Sequence, residues 1–278
     1  MNRRRTMTLL RLLLFALGAY AVVVLIYAVL QERLIFFPSK SSETSDLQRA
    51  NEAGWRPWRN PADELIGWRL GDPEARQRML VFHGNAGSAL DRRYLARGFA
   101  FQGDERVWEV IVMEYPGYGS RPGKLGQQSF VEAGRAAVDQ LNQEDDRPIV
   151  LAGESIGSGV ASAVAAGQPE SLAGVLLITP FRSLKEVAQK VVPWMPVGLM
   201  LRHRFDNSSA LKDYGGPVAF LLARRDEVVG FETGQALHDE YQAGRKWLEI
   251  QEHAGHNDVG YLPAMPWFQE VTAFFGAK

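Results

Sequence analysis

Two kinds of hydrophobic pattern divide the chain. The first is one uncharged, mostly apolar run, Leu12–Leu30, which follows four arginines, Arg3, Arg4, Arg5 and Arg11. As a helix this run extends about 28 Å, close to the hydrocarbon thickness of a bilayer. The second kind is a series of short apolar runs separated by longer stretches of mixed character. The pattern therefore predicts one membrane-spanning helix followed by a globular domain.

The apolar run is expected to be an uncleaved anchor. Ala19-Tyr20-Ala21 resembles a signal-peptidase site, but the run continues through Val22–Ile26, where a mature chain should become polar. A buried helix of a soluble protein is the other alternative, and few such helices are so uniformly apolar. Because the arginines before the run outnumber Arg33 and Lys40 after it, the N-terminus is expected in the cytoplasm. The catalytic domain is then expected on the exported side, periplasmic or extracytoplasmic.

The short apolar runs predict an α/β domain built on a mostly parallel sheet. Helix-length segments, Ala89–Phe101 and Ser129–Leu141, separate the first of them. Continuously apolar strands that alternate with helices are typical of a parallel sheet covered on both faces. Looser alternation over Trp55–Leu70, clearest at Leu65–Leu70, predicts antiparallel strands at the start. The predicted parallel strands are Met79–Phe82, Val110–Met113, Ile149–Ala152, Val175–Ile178, Val218–Leu222 and Trp247–Ile250.

The chain is expected to have four parts. Residues 1–11 form a basic cytoplasmic N-terminus, residues 12–30 the transmembrane anchor, and residues 31–53 an interfacial segment and tether. Residues 54–278 form the α/β domain, with an insertion at 179–210. Within the third part, the polar stretch Ser39–Ala53 predicts a tether or loop.

Composition and charge exclude several functions. The chain has 278 residues, 46% of them hydrophobic and 23% charged, which is ordinary for a globular protein. A net charge of −1, with no basic run beyond the first residues, gives no argument for a nucleic-acid partner. The absence of cysteine excludes disulfides, thiolate metal ligands and cysteine nucleophiles. No metal or other cofactor is expected.

One serine lies in a motif whose residue types have a chemical explanation. Gly153-Glu154-Ser155-Ile156-Gly157 lies between a predicted strand and a helical stretch rich in small residues. A G-x-S-x-G turn raises its serine on a strained backbone, and the crowding there requires glycine two residues away on each side. Backbone amides of Ile156 and of Asn85, in a glycine-rich turn, are the expected oxyanion donors. Ser155 is therefore the predicted nucleophile.

A serine needs a base and an acid, and in this architecture they follow it in the order acid, then histidine. Both must lie beyond the carboxyl ends of the strands, which share one edge. His256 follows the last strand and is the predicted base, with His253 as the alternative. Asp226 is the predicted acid, with Glu227 as the alternative. A metal cluster of His253, His256 and Asp258 is disfavoured because the sequence offers no second cluster.

Four ordered motifs resemble the α/β-hydrolase superfamily, and within it the membrane-anchored "α/β-hydrolase domain-containing" group. The resemblance covers about residues 30–278 and includes the N-terminal anchor. It implies the α/β-hydrolase fold with a lid at 179–210, serine hydrolysis by Ser155, Asp226 and His256, and oxyanion donors at Asn85 and Ile156. It does not choose the acyl donor. The motifs are Phe82–Gly87, Tyr115–Gly119, Gly153–Gly159 and Gly255–Asp258.

The lid segment bears on the substrate. It contains the apolar stretch Val191–Leu201, in which two prolines oppose one continuous helix, followed by Arg202-His203-Arg204. On a membrane-anchored domain such a patch is suited to acyl chains or lipid headgroups. The alternative is that these residues only cover the core. The residues expected in the substrate pocket and lid are Tyr115, Val192, Trp194, Met195 and Leu199.

The sequence therefore predicts a membrane-anchored serine hydrolase that cleaves carboxylic esters or thioesters of hydrophobic acyl groups. Its partners would be the membrane and a small-molecule or lipid-like acyl substrate. The alternatives are a serine peptidase or amidase of the same fold and a non-catalytic hydrolase-fold protein of the cell envelope. The complete set of catalytic candidates disfavours the last. The natural substrate and the oligomeric state stay open.

Overall fold

An eight-stranded sheet forms the centre of the protein. The computed structural model describes residues 3–100, 108–167 and 172–276. The strands are β1 (Phe37–Pro38), β2 (Arg56–Arg59), β3 (Leu65–Gly71), β4 (Gln77–Phe82), β5 (Ala86–Gly87), β6 (Trp108–Met113), β7 (Ile149–Glu154), β8 (Leu172–Ile178), β9 (Val218–Ala223) and β10 (Lys246–Gln251). The central sheet has the order β10-β9-β8-β7-β4-β6-β3-β2, and β1 pairs separately with β5.

The pairing confirms the predicted strand directions. From β10 to β6 all neighbours are parallel, whereas β3 pairs antiparallel with both β6 and β2. Side chains of β4 alternate between the two faces, with Leu80 and Phe82 in one apolar cluster and Met79 and Val81 in the other. Both faces are buried, which is why the strands are continuously apolar.

Helices cover both faces of the sheet. Phe99 and Phe268 belong to the cluster on one face, and Val138 and Val160 to the cluster on the other. The predicted segment Ala89–Phe101 is a 3₁₀ turn and a short helix, and its last residue lies outside the described residues. The helices are α1 (Arg3–Ile35), α2 (Glu43–Ala53), the 3₁₀ helix Ala89–Arg92, α3 (Arg93–Ala100), α4 (Gln127–Glu144), α5 (Ile156–Gly167), α6 (Leu184–Val191), α7 (Val197–Met200), α8 (Asn207–Tyr214), α9 (Phe231–Glu240) and α10 (Pro266–Gly276).

Helix α1 contains the predicted anchor and extends beyond it at both ends. Its stretch Thr6–Ile35 is long and apolar enough to cross a membrane, and its most apolar part is not buried by the protein. By length and composition α1 is therefore a candidate transmembrane helix.

The prediction of a tether or loop over Ser39–Ala53 is wrong from Glu43 onward, where α2 begins. The Ser42 side chain accepts a hydrogen bond from the amide of Ser45 and caps the first turn, and Gly54 ends the helix in the left-handed conformation (φ 78°). Ala50 is buried against the domain. A polar sequence with one buried stripe and two good caps suffices for a helix that packs on a domain, so this segment belongs to the fold.

Candidate active site

Ser155 lies at a sharp turn between β7 and α5. Its backbone is in the left-handed region, with φ of 53°. A Cβ on Gly153 would lie 2.4 Å from the carbonyl oxygen of Gly157, and a Cβ on Gly157 only 2.0 Å from that of Phe82. Neither position has room for a side chain, as the G-x-S-x-G motif predicts.

The structure brings the three predicted triad residues together. Ser155 Oγ lies 2.9 Å from Nε2 of His256, and Nδ1 of His256 lies 2.7 Å from Oδ2 of Asp226. Asp226 follows β9 and His256 follows β10, so both loops leave the carboxyl edge of the sheet, where β7 delivers Ser155. This is the hydrogen-bond chain of a Ser-His-Asp triad.

The alternatives do not join this chain. His253 is exposed, and its Nδ1 lies 3.4 Å from the guanidinium of Arg225. Glu227 is also exposed. Among the residues that the structure describes, no group of three or more histidines and carboxylates is arranged to hold a metal ion.

Asp226 is held by the loop that precedes α9. Its Oδ1 accepts hydrogen bonds from the amides of Val228 (3.0 Å), Val229 (2.9 Å) and Gly230 (3.3 Å). Burial alone would raise the pKa of Asp226, but the bond to His256 and the backbone amides outweigh it and hold the pKa below its usual value. An ionised carboxylate only accepts, so Nδ1 of His256 must donate to it. Nε2 is then left as the acceptor for the Ser155 hydroxyl.

The two predicted oxyanion donors belong to the wall of the cavity on which Ser155 opens. Asn85 and Ile156 line the same cavity as the serine. Ile156 is the first residue of α5, so its amide has no acceptor within the helix. The side-chain amide of Asn85 donates to the carbonyl of Ile35 (3.0 Å) and so fixes the turn. The role of both amides stays a prediction.

Ser155 and His256 open on a cavity of about 1040 Å³. Its apolar lining comes mainly from the lid, α6 and α7, and from the loop after β9. Pockets that enclose hydrophobic ligands have this character, with few polar groups at the reacting end. The apolar lining includes Phe181, Leu184, Val187, Val192, Met195, Val197, Met200, Leu201, Val228 and Val229.

Of the five residues predicted for the pocket and lid, Val192 and Met195 line this cavity. The prediction for Tyr115 is wrong: it is fully buried, its ring stacks on Phe130, and its hydroxyl donates to the carbonyl of His83 (2.9 Å). Tyrosine at this turn completes the core instead of the pocket.

Trp194 and Leu199 belong to the lid but do not line the cavity. Trp194 is 52% exposed and Leu199 92% exposed. The prolines divide the segment into α6 and the four-residue α7, as predicted. A helix this short has one inward face, so Val197 and Met200 reach the cavity while Leu199 points away.

Sequence reasoning missed the polar end of the cavity. Glu154, the residue before the serine, accepts hydrogen bonds from Arg92 Nε (2.6 Å) and from the hydroxyl of Tyr94. Burial alone would raise the pKa of Glu154, but Arg92 and Tyr94 outweigh it and hold the pKa below its usual value. The signal in the sequence was a charged residue at the end of an apolar strand. It was missed because the G-x-S-x-G motif allows any residue at this position. Tyr261 completes this end.

Sequence reasoning also missed the contribution of α1. Four residues of its last turns line the cavity, namely Tyr27, Gln31, Leu34 and Ile35. Their spacing places them on one face of the helix. The signal in the sequence was Gln31, a polar residue directly after the apolar run. In the structure Gln31 is buried.

Fold and site define this protein as an α/β hydrolase. A family model described as serine aminopeptidase, S33, matches residues 73–213, just over half of the chain. The chain belongs to this family, and the α/β-hydrolase fold predicted from the sequence is confirmed.

The chain is also similar to several proteins of known sequence or structure. The uncharacterized protein Rv2307c of Mycobacterium tuberculosis is 28% identical over 288 residues, 99% of this chain and 97% of that protein. The human alpha/beta hydrolase domain-containing protein 17B is 28% identical over 194 residues, 67% of this chain and 62% of its own. The esterase Pf2001 of Pyrococcus furiosus superimposes with a TM-score of 0.65 at 15% identity, over 87% of this chain and 97% of the esterase.

Proposed function

We propose that this protein is a membrane-anchored serine hydrolase that cleaves carboxylic esters or thioesters of hydrophobic acyl groups. The observation that carries the proposal is the hydrogen-bonded chain Ser155–His256–Asp226 at the wall of a large apolar cavity. The anchor would be α1, and the arginines before it favour a cytoplasmic N-terminus and an exported catalytic domain.

The chemistry follows from which atoms donate and accept. Ser155 Oγ attacks the carbonyl carbon while Nε2 of His256 takes its proton, and the amides of Ile156 and Asn85 stabilise the oxyanion. The tetrahedral intermediate then expels the alcohol or thiol, which receives that proton from His256. In deacylation His256 takes a proton from water while the water oxygen attacks the acyl-enzyme carbonyl. The tetrahedral intermediate then breaks its bond to Ser155 Oγ, which receives that proton from His256 as the carboxylic acid leaves. Asp226 stabilises the imidazolium in both halves.

Ester cleavage is favoured over aminopeptidase activity, although the family description names an aminopeptidase. An aminopeptidase must hold the substrate's free ammonium group, which requires an available carboxylate near the serine. Among the described residues that line the cavity, Glu154 is the one carboxylate, and Arg92 and Tyr94 already occupy it. The large, mostly apolar cavity instead suits an acyl chain.

The experiment compares kcat/KM for nitrophenyl esters of increasing chain length, kept monomeric, with the matching anilides. For the wild type, each added methylene should raise kcat/KM nearly fourfold until the cavity is full, because a buried methylene contributes about 0.8 kcal/mol. Val187→Trp should reduce the space in the apolar part of the cavity and so reduce turnover of long esters more than of acetate. Leu199→Ala, on an exposed residue outside the cavity, is the matched control.

Two results would contradict the proposal. One is a wild type that prefers acetate throughout, or that turns over anilides faster than the esters. The other is an equal loss at all chain lengths in Val187→Trp.

A further inference from the structure

Helix α1 and the lid are joined at several levels along the helix. The hydroxyl of Tyr20 donates to the carbonyl of Trp194 (2.9 Å), and the Trp194 ring packs edge-on against Tyr27, with centroids 6.0 Å apart. Near the end of the helix, Gln31 Nε2 donates to the carbonyl of Met200 (3.2 Å), and its Oε1 accepts from the amide of Arg202 (2.8 Å). The lid therefore rests along the anchor and is not separated from it by a tether.

Gln31 makes this contact specific. Its side chain is only 5% exposed, on a helix that is otherwise largely uncovered. Both ends of its amide are used, one by the carbonyl of Met200, the last residue of α7, and the other by the amide of Arg202, two residues further on. A buried amide with both functions satisfied fixes the position of one element on another, because any slippage leaves polar groups unpaired. Gln31 thus holds the lid against α1 where both border the cavity.

If α1 spans a membrane, the contacts also place part of the lid below the hydrocarbon surface. The apolar stretch Thr6–Ile35 is longer than the ~20 residues that a bilayer needs. Even if the first twenty of these residues cross the hydrocarbon, Tyr20 lies five residues before the exported end of that segment. At 1.5 Å per residue, this is about 7 Å below the hydrocarbon surface. If Leu12–Leu30 crosses, Tyr20 lies about 15 Å deep. In either case Trp194, bonded to Tyr20, is placed below the hydrocarbon surface.

The exposed side chains of the lid fit this placement. Val191 is 70% exposed and Trp194 52% exposed, although both are apolar. Leu34, at the end of α1, is also half-exposed while lining the cavity. Apolar side chains that are uncovered in water but adjoin a membrane-spanning helix are suited to contact with lipid.

We propose that α1 and the lid together form an access route within the bilayer, through which the acyl chain of a membrane lipid reaches Ser155. Gln31 is the residue that positions the lid on α1, and Leu34 lies at the mouth of the route. This inference rests on the proposed function in two respects, namely that α1 spans the membrane and that the cavity occupant is the substrate's acyl chain. The lipid comes from the leaflet that faces the domain, not from water.

Depth is measured first, without reference to activity. The chain has no cysteine, so Trp194→Cys in a Ser155→Ala background carries a single spin label. In full-length protein reconstituted into phosphatidylcholine vesicles, this label should collide more with oxygen than with a water-soluble nickel complex. A label at Gln242→Cys, exposed before β10 at the opposite edge of the sheet, should show the reverse. Equal nickel accessibility at the two positions would overturn the proposal.

Access is measured second, with two substrates. A fluorogenic long-chain ester dissolved in the vesicle bilayer is compared with nitrophenyl butyrate in water. Leu34→Trp and Gln31→Leu should each lower kcat/KM for the bilayer ester about tenfold, equivalent to 1.4 kcal/mol, and change butyrate turnover much less. Leu25→Trp, exposed on α1 outside the cavity, is the control.

Equal losses on both substrates, or no loss on the bilayer ester, would overturn the access route and leave the proposed function standing. A wild type that hydrolyses neither ester would instead refute the proposed function, and the route as a path for substrate with it. The label at position 194 would still report whether the lid is in the membrane.

Discussion

The position of Asp226 allows its catalytic and structural roles to be separated by two substitutions. Asp226→Asn keeps an oxygen at Oδ1 for the three backbone amides but places an NH₂ group opposite Nδ1 of His256. Nδ1 must then accept, so the proton of the neutral ring moves to Nε2. A protonated Nε2 faces Ser155 and cannot take the proton of its hydroxyl.

The expected loss in kcat is about 10⁴-fold, or roughly 5.4 kcal/mol of transition-state stabilisation, as in other triads whose aspartate becomes asparagine. The asparagine variant should lose only the part of the stability that the charge of Asp226 contributes, because the same backbone bonds survive. Asp226→Ala removes the acceptor from all three amides, and each buried donor left unpaired costs about 1–3 kcal/mol. The alanine variant should therefore lose activity and also a few kcal/mol in the free energy of unfolding.

The assay is kcat for nitrophenyl butyrate, combined with urea unfolding of each variant in the same mild detergent. His253→Ala is the matched control, since this exposed histidine contacts Arg225 and not Ser155, and it should keep most of the activity. The reasoning is refuted if Asp226→Asn keeps more than about a tenth of the wild-type kcat. It also fails if the alanine variant is as stable as the asparagine variant.

The sharp turn at Ser155 and the charge of Asp226 give two further predictions. Gly157→Ala should destabilise the protein by about 3 kcal/mol or more and abolish turnover, because its Cβ would lie 2.0 Å from the carbonyl oxygen of Phe82. Gly167→Ala at the other end of α5 meets only the flexible Arg135 side chain and should be mild, so similar unfolding curves would contradict this account. Because the folded pKa of Asp226 lies below its usual value, its stabilising effect is present above about pH 4 and is lost as the pH falls through the folded pKa. The difference in unfolding free energy between wild type and Asp226→Asn should shrink on acidification, and a constant difference would speak against an ionised Asp226.

The sequence predicted the features that repeat a strong local pattern. The strands are continuously apolar because both faces of the sheet are buried, and Ser155 stands in a turn whose glycines have no room for a Cβ. His256 and Asp226 could be located because parallel strands bring their following loops to one edge. Their roles stay predictions, although the distances are those that catalysis requires.

What the sequence could not predict depends on partners far away along the chain. Helix α2 was mistaken for a loop because its polar residues show little periodicity, and its one-sided burial exists only against the folded domain. Glu154 looked like a free position, since its ion pair with Arg92 spans 62 residues. Gln31 looked like the end of an anchor, since its partners lie about 170 residues later. Tyr115 was placed in the pocket from its motif, whereas packing against Phe130 decides its position.

The central claim is that Ser155 is the nucleophile, and covalent labelling tests it most directly. A fluorophosphonate should react with the purified wild-type protein, and mass spectrometry should locate the adduct on the peptide that contains Ser155. Ser155→Ala should keep the fold, as judged by circular dichroism, and should not be labelled. An adduct on another residue of the wild type, or labelling that survives in Ser155→Ala, would contradict the account.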